Sequence, residues 1–99
     1  AVALHVHGVE ARLDAGDVSA HNSLGSTYQA LGRYGEAVAA WQQAIALQPG
    51  YTKAYYNLGM TYLRNLGRPD LAKECFAKLL SLEPDHPQAA ALRRLLREP

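Results

Sequence analysis

Between Leu24 and Pro84 the chain repeats itself. Leu24, Gly25 and Tyr28 return as Leu58, Gly59 and Tyr62 at a spacing of 34, and Ala37, Trp41 and Pro49 return as Ala72, Phe76 and Pro84 at a spacing of 35. A period of this size means one supersecondary unit per copy, each unable to bury its apolar face alone and covered by the next. The change of offset puts one extra residue in the second copy, within Leu63-Arg64-Asn65-Leu66. It is expected as a wider turn, an added helical residue or a π-type bulge before Gly67.

Each copy reads as two helices. Leu24, Tyr28 and Leu31 form an i, i+4, i+7 stripe, and Trp41, Ala44, Ile45 and Gln48 follow the same period with Val38 and Leu47 on the apolar side. Gly25 and Gly59 stand inside helical patterns, where Gly costs roughly 1 kcal/mol relative to Ala, so helix backbones are expected to approach closely there. Ala37 and Ala72 serve the facing helix in the same way. Between the helices, Leu31-Gly32-Arg33-Tyr34 reads as a tight turn with Gly32 left-handed, and Leu66-Gly67-Arg68-Pro69 is its counterpart. Pro69 suits the first turn of the following helix, where a missing amide proton is no loss.

In both copies the order of aromatic, Leu-Gly, Tyr, Ala, aromatic and Pro resembles the tetratricopeptide repeat. His21 and Tyr55 stand where that family usually has its first Trp, and Leu79 replaces the small residue that Ala44 supplies in the first copy. The likeness is good over residues 18–86, partial over 87–96 and weak over the first seventeen. It implies an all-α protein, a right-handed α-solenoid of antiparallel helix hairpins. The expected division is a flanking helix in 1–16, repeats at 17–50 and 51–84, and a capping helix at 85–97, about six helices in all. The flanking helix rests on Val2, Val6, Val9 and Leu13, spaced by 4, 3 and 4, and on the likeness of Leu13-Asp14-Ala15-Gly16-Asp17 to the repeat junction Leu47-Gln48-Pro49-Gly50-Tyr51. The capping helix rests on Asp85 as N-cap, Gln88 completing a capping box, Pro87 in the first turn, and the stripe Ala89, Leu92 and Leu96.

Composition restricts function more than it suggests one. At 99 residues the chain buries on the order of 65% of its unfolded surface as one domain. No apolar run reaches the length of a membrane span, and no signal-peptide pattern opens the sequence, so a cytoplasmic location is expected. The single Cys75, beside Phe76, reads as a packed structural thiol. No phosphate-binding Gly-rich loop, paired cysteines or His-Glu-x-x-His motif is present. His5 and His7 fall on opposite sides of a helix, and Asp17 serves better as N-cap of the first repeat than as a partner for His21. Neither a catalytic residue, a metal site nor a cofactor is expected. Net charge is only +1, with Arg93, Arg94 and Arg97 as the one basic cluster, so a nucleic-acid partner is not expected either.

The remaining class is recognition of a protein or peptide, with self-association or membership of a longer array as the alternative. The resemblance implies that the first helix of each repeat lines a groove. Its groove-facing positions are Ser19, Asn22, Ser23, Ser26 and Gln29 in the first copy, and Lys53, Tyr56, Asn57, Met60 and Arg64 in the second. Amide side chains such as Asn22, Gln29 and Asn57 both donate and accept, which suits an extended peptide backbone. A subfamily that grips the terminal carboxylate of chaperone tails uses two Lys, two Asn and one Arg. Carried over by position those sites read Asn22, Ser26, Asn57, Gln88 and Leu92, so only Asn57 matches and such a clamp is not expected. Lys53 and Arg64 are expected to form a mildly basic patch favouring acidic segments.

Overall fold

The computed structural model describes the backbone of residues 2–6 and 9–13 and residues 16–98 in full. Strands β1 (Val2–Val6) and β2 (Val9–Leu13) precede helices α1 (Val18–Ala30), α2 (Tyr34–Leu47), α3 (Thr52–Arg64), α4 (Pro69–Leu82) and α5 (Ala89–Arg97). The helices form a solenoid in which α1 packs on α2, α3 on α4, α2 on α3 and α4 on α5.

The N-terminal segment corrects the expected flanking helix. β1 and β2 pair antiparallel with Val2 opposite Leu13, Leu4 opposite Ala11 and Val6 opposite Val9. Among the described residues there are therefore five helices, not six. Val2, Val6, Val9 and Leu13 satisfy a helical period, but Val2, Leu4, Val6 and then Val9, Ala11, Leu13 also alternate strictly with other residues. Three β-branched valines, and a two-residue connection containing Gly8, decide for the hairpin. The side chains of His5 and His7 lie outside the described residues.

Asp17 caps α1, its carboxylate accepting from the Ala20 amide at 3.0 Å. The α1–α2 turn closes with Arg33 N–H donating to the Tyr28 carbonyl at 2.9 Å and Gly32 N–H to that of Gln29 at 3.0 Å. Gly32, at φ 77°, takes the left-handed position this paired capping pattern requires. The Arg33 guanidinium lies over the Tyr28 ring, 5.6 Å from its centroid.

The inserted residue of the second copy falls entirely in the turn. Both first helices have 13 residues and both second helices 14, so the connection lengthens from Leu31–Arg33 to Asn65–Arg68. The Thr61 carbonyl accepts from both Asn65 and Leu66, at 2.9 and 3.1 Å, and the closing bond runs from Arg68 to Tyr62. Gly67, at φ 61°, retains the left-handed role, and Pro69 begins α4 as expected.

The core consists of inter-helix plugs. Ala37, Trp41 and Ala44 of α2 pack with Ala54 and Leu58 of α3, and Ala72, Phe76 and Leu79 of α4 pack with Leu92 of α5. The glycines answer to aromatic rings rather than to a facing backbone. A Cβ on Gly25 would stand 2.4 Å from Trp41 Nε1, and one on Gly59 would stand 2.5 Å from Phe76 Cε1. Each Leu-Gly thus leaves a slot for the ring of the paired helix. Trp41 also donates its indole N–H to the Asn22 carbonyl at 3.2 Å. Leu31 and Leu47, read as parts of buried stripes, are instead 39% and 42% exposed because both stand at helix ends.

The capping helix starts later than expected. His86 precedes Pro87, and a residue before proline is disfavoured from helical geometry, so Asp85 cannot head a continuous helix. No side chain caps α5. Instead the Gln88 N–H donates to His86 Nδ1 at 3.0 Å and the Ala89 N–H donates to the His86 carbonyl at 2.8 Å.

Cys75 is half-buried. Burial first, and then the charge of Glu74, push its thiol up to about 11 from 9.0. That leaves roughly 100-fold less thiolate at neutral pH than an unperturbed cysteine has. Alkylation by iodoacetamide at pH 7.5 is expected to be slower than that of free cysteine by roughly 10-fold, because a higher-pKa thiolate is the better nucleophile and offsets part of the lost population. Modification at the free-thiol rate would contradict this packing.

Candidate functional site

A recess of about 570 Å³ opens between α1, α3 and the α4–α5 connection. This lies within the ~300–1,000 Å³ typical of ligand pockets. It gathers Asn22 from α1, Lys53, Tyr56 and Asn57 from α3, and Glu83 and His86 from the connection. Helical spacing explains the α3 set, since residues 53, 56 and 57 are neighbours on one face.

Two hydrogen bonds tie the first helices together along this side. Asn57 Nδ2 donates to Asn22 Oδ1 at 3.1 Å, and Gln29 Nε2 donates to Thr61 Oγ1 at 3.1 Å. Of the three expected groove amides, Asn22 and Asn57 therefore pair with each other across the repeat boundary, and Gln29 spends a donor on the Thr61 hydroxyl. The Asn pair still has capacity: an amide side chain holds two donors and an acceptor, and this bond takes one donor of Asn57 and an acceptor of Asn22. The Asn57 carbonyl oxygen and the Asn22 amino group can face a ligand.

One wall is aromatic. The Tyr56 and His86 rings stack at a centroid distance of 5.4 Å and an interplanar angle of 24°. Glu83 accepts from the Thr52 hydroxyl at 2.9 Å, bringing a carboxylate to the positive end of α3. Lys53 is exposed at the rim. The recess is thus a partly aromatic slot carrying an amide pair, one cation and one engaged carboxylate.

Of the sequence-derived candidates, Asn22, Lys53, Tyr56 and Asn57 meet at this recess, whereas Ser26, Gln29, Met60 and Arg64 do not line it. Gln29 is taken up by Thr61. Met60 packs against the Phe76 and Leu92 cluster beneath α5. Arg64 stands 11 residues beyond Lys53, about 16 Å at 1.5 Å per residue, so the two cations do not form one patch. Ser19, Ser23 and Ser26 are exposed. Sequence reasoning missed Thr52, Glu83 and His86. The Asp85-His86-Pro87 run was the available signal, because a Pro that delays a helix leaves the preceding residues in a loop over the groove.

Tyr51, Tyr55 and Tyr56 do not share a stacking surface. Tyr51 packs in the α2–α3 core, and Tyr55 donates its hydroxyl to the Pro49 carbonyl at 3.1 Å, with burial raising its pKa. Among the described residues, no group of three potential metal ligands occurs, and no helix is long and apolar enough to cross a membrane.

Residues 28–96 match the Tetratricopeptide repeat family. The chain belongs to that family. It is 32% identical over 78 residues to the chloroplastic tetratricopeptide repeat domain-containing protein PYG7 of Arabidopsis thaliana, covering 79% of this chain and 26% of the relative's length. Among solved structures, it is similar to the first repeat domain of Spaghetti (RPAP3) bound to the HSP90 peptide SRMEEVD, with TM-score 0.74 and 29% identity over 83% of this chain and 65% of that one. The second such domain of human RPAP3, in complex with the HSP70 peptide SGPTIEEVD, also gives TM-score 0.74 and 29% identity, over 86% and 71%. MamA gives TM-score 0.74 and 32% identity over 85% and 54%. As a tetratricopeptide repeat protein, the chain is a protein-interaction module.

Proposed function

We propose that the recess holds an extended peptide segment of a protein partner without catalysing a reaction. The observation that carries this reading is the Asn22–Asn57 pair, which offers one acceptor and one amino group side by side beside the Tyr56–His86 wall. Those groups match the N–H and C=O of one residue of an extended peptide, which point to the same side of the strand, and the aromatic wall suits an adjacent apolar side chain. Lys53 at the rim favours a nearby acidic residue.

The expected mode differs from a clamp on a terminal carboxylate. That task calls for several converging cations, and among the described lining residues Lys53 is the one lysine or arginine, with the Glu83 carboxylate on the same recess. The acidic-tailed peptide SRMEEVD, present in one related structure, is a suitable probe. In a fluorescence titration, Asn57→Ala is expected to weaken its binding roughly 5- to 10-fold, the value of one to two hydrogen bonds. Amidating the peptide's C-terminus is expected to change affinity less than threefold. An unchanged affinity for Asn57→Ala would sink the reading, and a tenfold loss on amidation would replace it with the terminal clamp.

Self-association is the second reading. Leu31 and Leu66 at the first turns, and Leu47 and Leu82 at the ends of α2 and α4, are each 38–42% exposed and recur with the repeat. Light scattering over a concentration series tests it, because a monomer throughout would exclude it.

A further inference from the structure

We propose that protonation of His86 releases the start of α5, loosening one wall of the recess and weakening its hold on a ligand. The inference deepens the peptide-binding reading and rests on it for the ligand step alone. His86 lies in the connection between α4 and α5, and Nδ1 accepts from the Gln88 N–H at 3.0 Å. Gln88 is the N-cap residue of α5 and has no side-chain cap of its own. Accepting at Nδ1 requires a neutral imidazole with its proton on Nε2. When the ring is protonated both nitrogens carry hydrogens, so no rotation or flip of it can restore the acceptor. The Gln88 amide then faces another donor.

The same residue forms part of the recess. Its ring stacks on Tyr56, and its carbonyl accepts from Ala89 at 2.8 Å, so movement of the connection disturbs the wall and the first turn of α5 together. The charges nearby oppose one another. Glu83 at the end of α4 and Asp85 beside His86 in the chain favour a cation. Lys53 on α3, Arg93 of α5 with its guanidinium on the Pro84 carbonyl at 2.8 Å, and the positive end of α5 disfavour one. The Tyr56 ring on α3, stacked on His86, attracts a cation over its face and so does not oppose protonation. The lost Gln88 bond therefore sets the sign: the start of α5 is secured while the His86 ring is neutral and released when it is protonated.

Two substitutions separate the bond from the charge. In His86→Asn the side-chain carbonyl can accept from the amide two residues on, as in an Asx turn, and cannot titrate. His86→Ala removes the acceptor at every pH. Hydrogen exchange of the Ala89 and Leu92 amides, which donate to the His86 and Gln88 carbonyls, is expected after correction for intrinsic rates to show roughly 5-fold lower protection at pH 5.0 than at pH 7.5 in the native chain. The Asn variant is expected to hold full protection at both, and the Ala variant to show the reduced value at both. Equal protection at the two pH values in the native chain, or the same fall in the Asn variant, would overturn the proposal.

Titration of SRMEEVD at both pH values reads the ligand step. A fall in its affinity at pH 5.0 in the native chain, absent in the Asn variant, supports the link. An equal fall in both overturns it. Failure of the peptide to bind at pH 7.5 counts against the peptide-binding reading, while the exchange result still decides whether His86 secures α5.

Discussion

Trp41→Ala is expected to unfold a large fraction of the molecule at 37 °C. The indole is wholly buried between α1, α2 and α3, and truncating such a side chain costs about 3–5 kcal/mol through lost transfer energy and the cavity left behind. A domain of this length has roughly 5–15 kcal/mol in total, so one substitution removes a large share. The loss passes directly to the recess, because the indole N–H donates to the carbonyl of Asn22, whose own side chain pairs with Asn57. Trp41→Phe is the informative partner. It keeps most of the buried area, as Phe76 does in the second repeat, and gives up the hydrogen bond at about 1 kcal/mol plus a modest volume term. Thermal denaturation followed by circular dichroism should show a fall in Tm of roughly 15–30 °C for the Ala variant and a clearly smaller one for Phe. Equal shifts would mean that the ring's volume is not what joins the two repeats.

Gly59→Ala is the second large effect, and its sign runs against helix propensity. Ala is better than Gly inside a helix by roughly 1 kcal/mol. The added Cβ would stand 2.5 Å from Phe76 Cε1, and Phe76 is 1% exposed, so the ring has little room to withdraw. Overpacking of this kind costs about 1–3 kcal/mol or more, and the net result is destabilisation. Gly35→Ala in α2 provides the control, since nothing lies within 4 Å of its would-be Cβ and propensity alone acts there. That change should raise stability by about 0.5–1 kcal/mol. Combining Gly59→Ala with Phe76→Leu should cost about 1–2 kcal/mol less than the sum of the two single changes, because the smaller side chain vacates the slot. Strict additivity in urea melts would contradict the ring-slot account of the Leu-Gly pair.

The parts of the fold that the sequence made legible are those that recur. Leu24-Gly25-Tyr28 and its copy located both hairpins, the left-handed glycines of both turns and the rings of both cores, because each residue is constrained by the same neighbour in two places. The extra residue of the second copy was also visible as a change of offset, although only the structure assigned it to the turn. The ends were less legible because nothing repeats there to break a tie. Val2 to Leu13 fits both a helical and a strand period, and the β-branched residues outweighed the 4-3-4 spacing. At the other end Asp85 and Gln88 matched a capping box, but Pro87 excluded His86 from a helix and moved the start to Ala89. The recess was half visible. Asn22, Lys53, Tyr56 and Asn57 followed from the register, whereas His86 and Glu83 come from a connection whose path depends on the late start of α5. Gln29 bonds to Thr61 and does not line the recess, a distinction the sequence hides because a polar residue facing a neighbouring helix carries the same signature as one facing a ligand.

The proposed peptide site is this recess and not another face of the solenoid. Backbone amide chemical-shift mapping during titration with SRMEEVD tests it most directly. The largest perturbations are expected at Asn22, Lys53, Tyr56, Asn57 and His86, with the outer faces of α2 and α4 unmoved. Perturbations centred on α2 and α4, with Asn22 and Asn57 silent, would contradict the account.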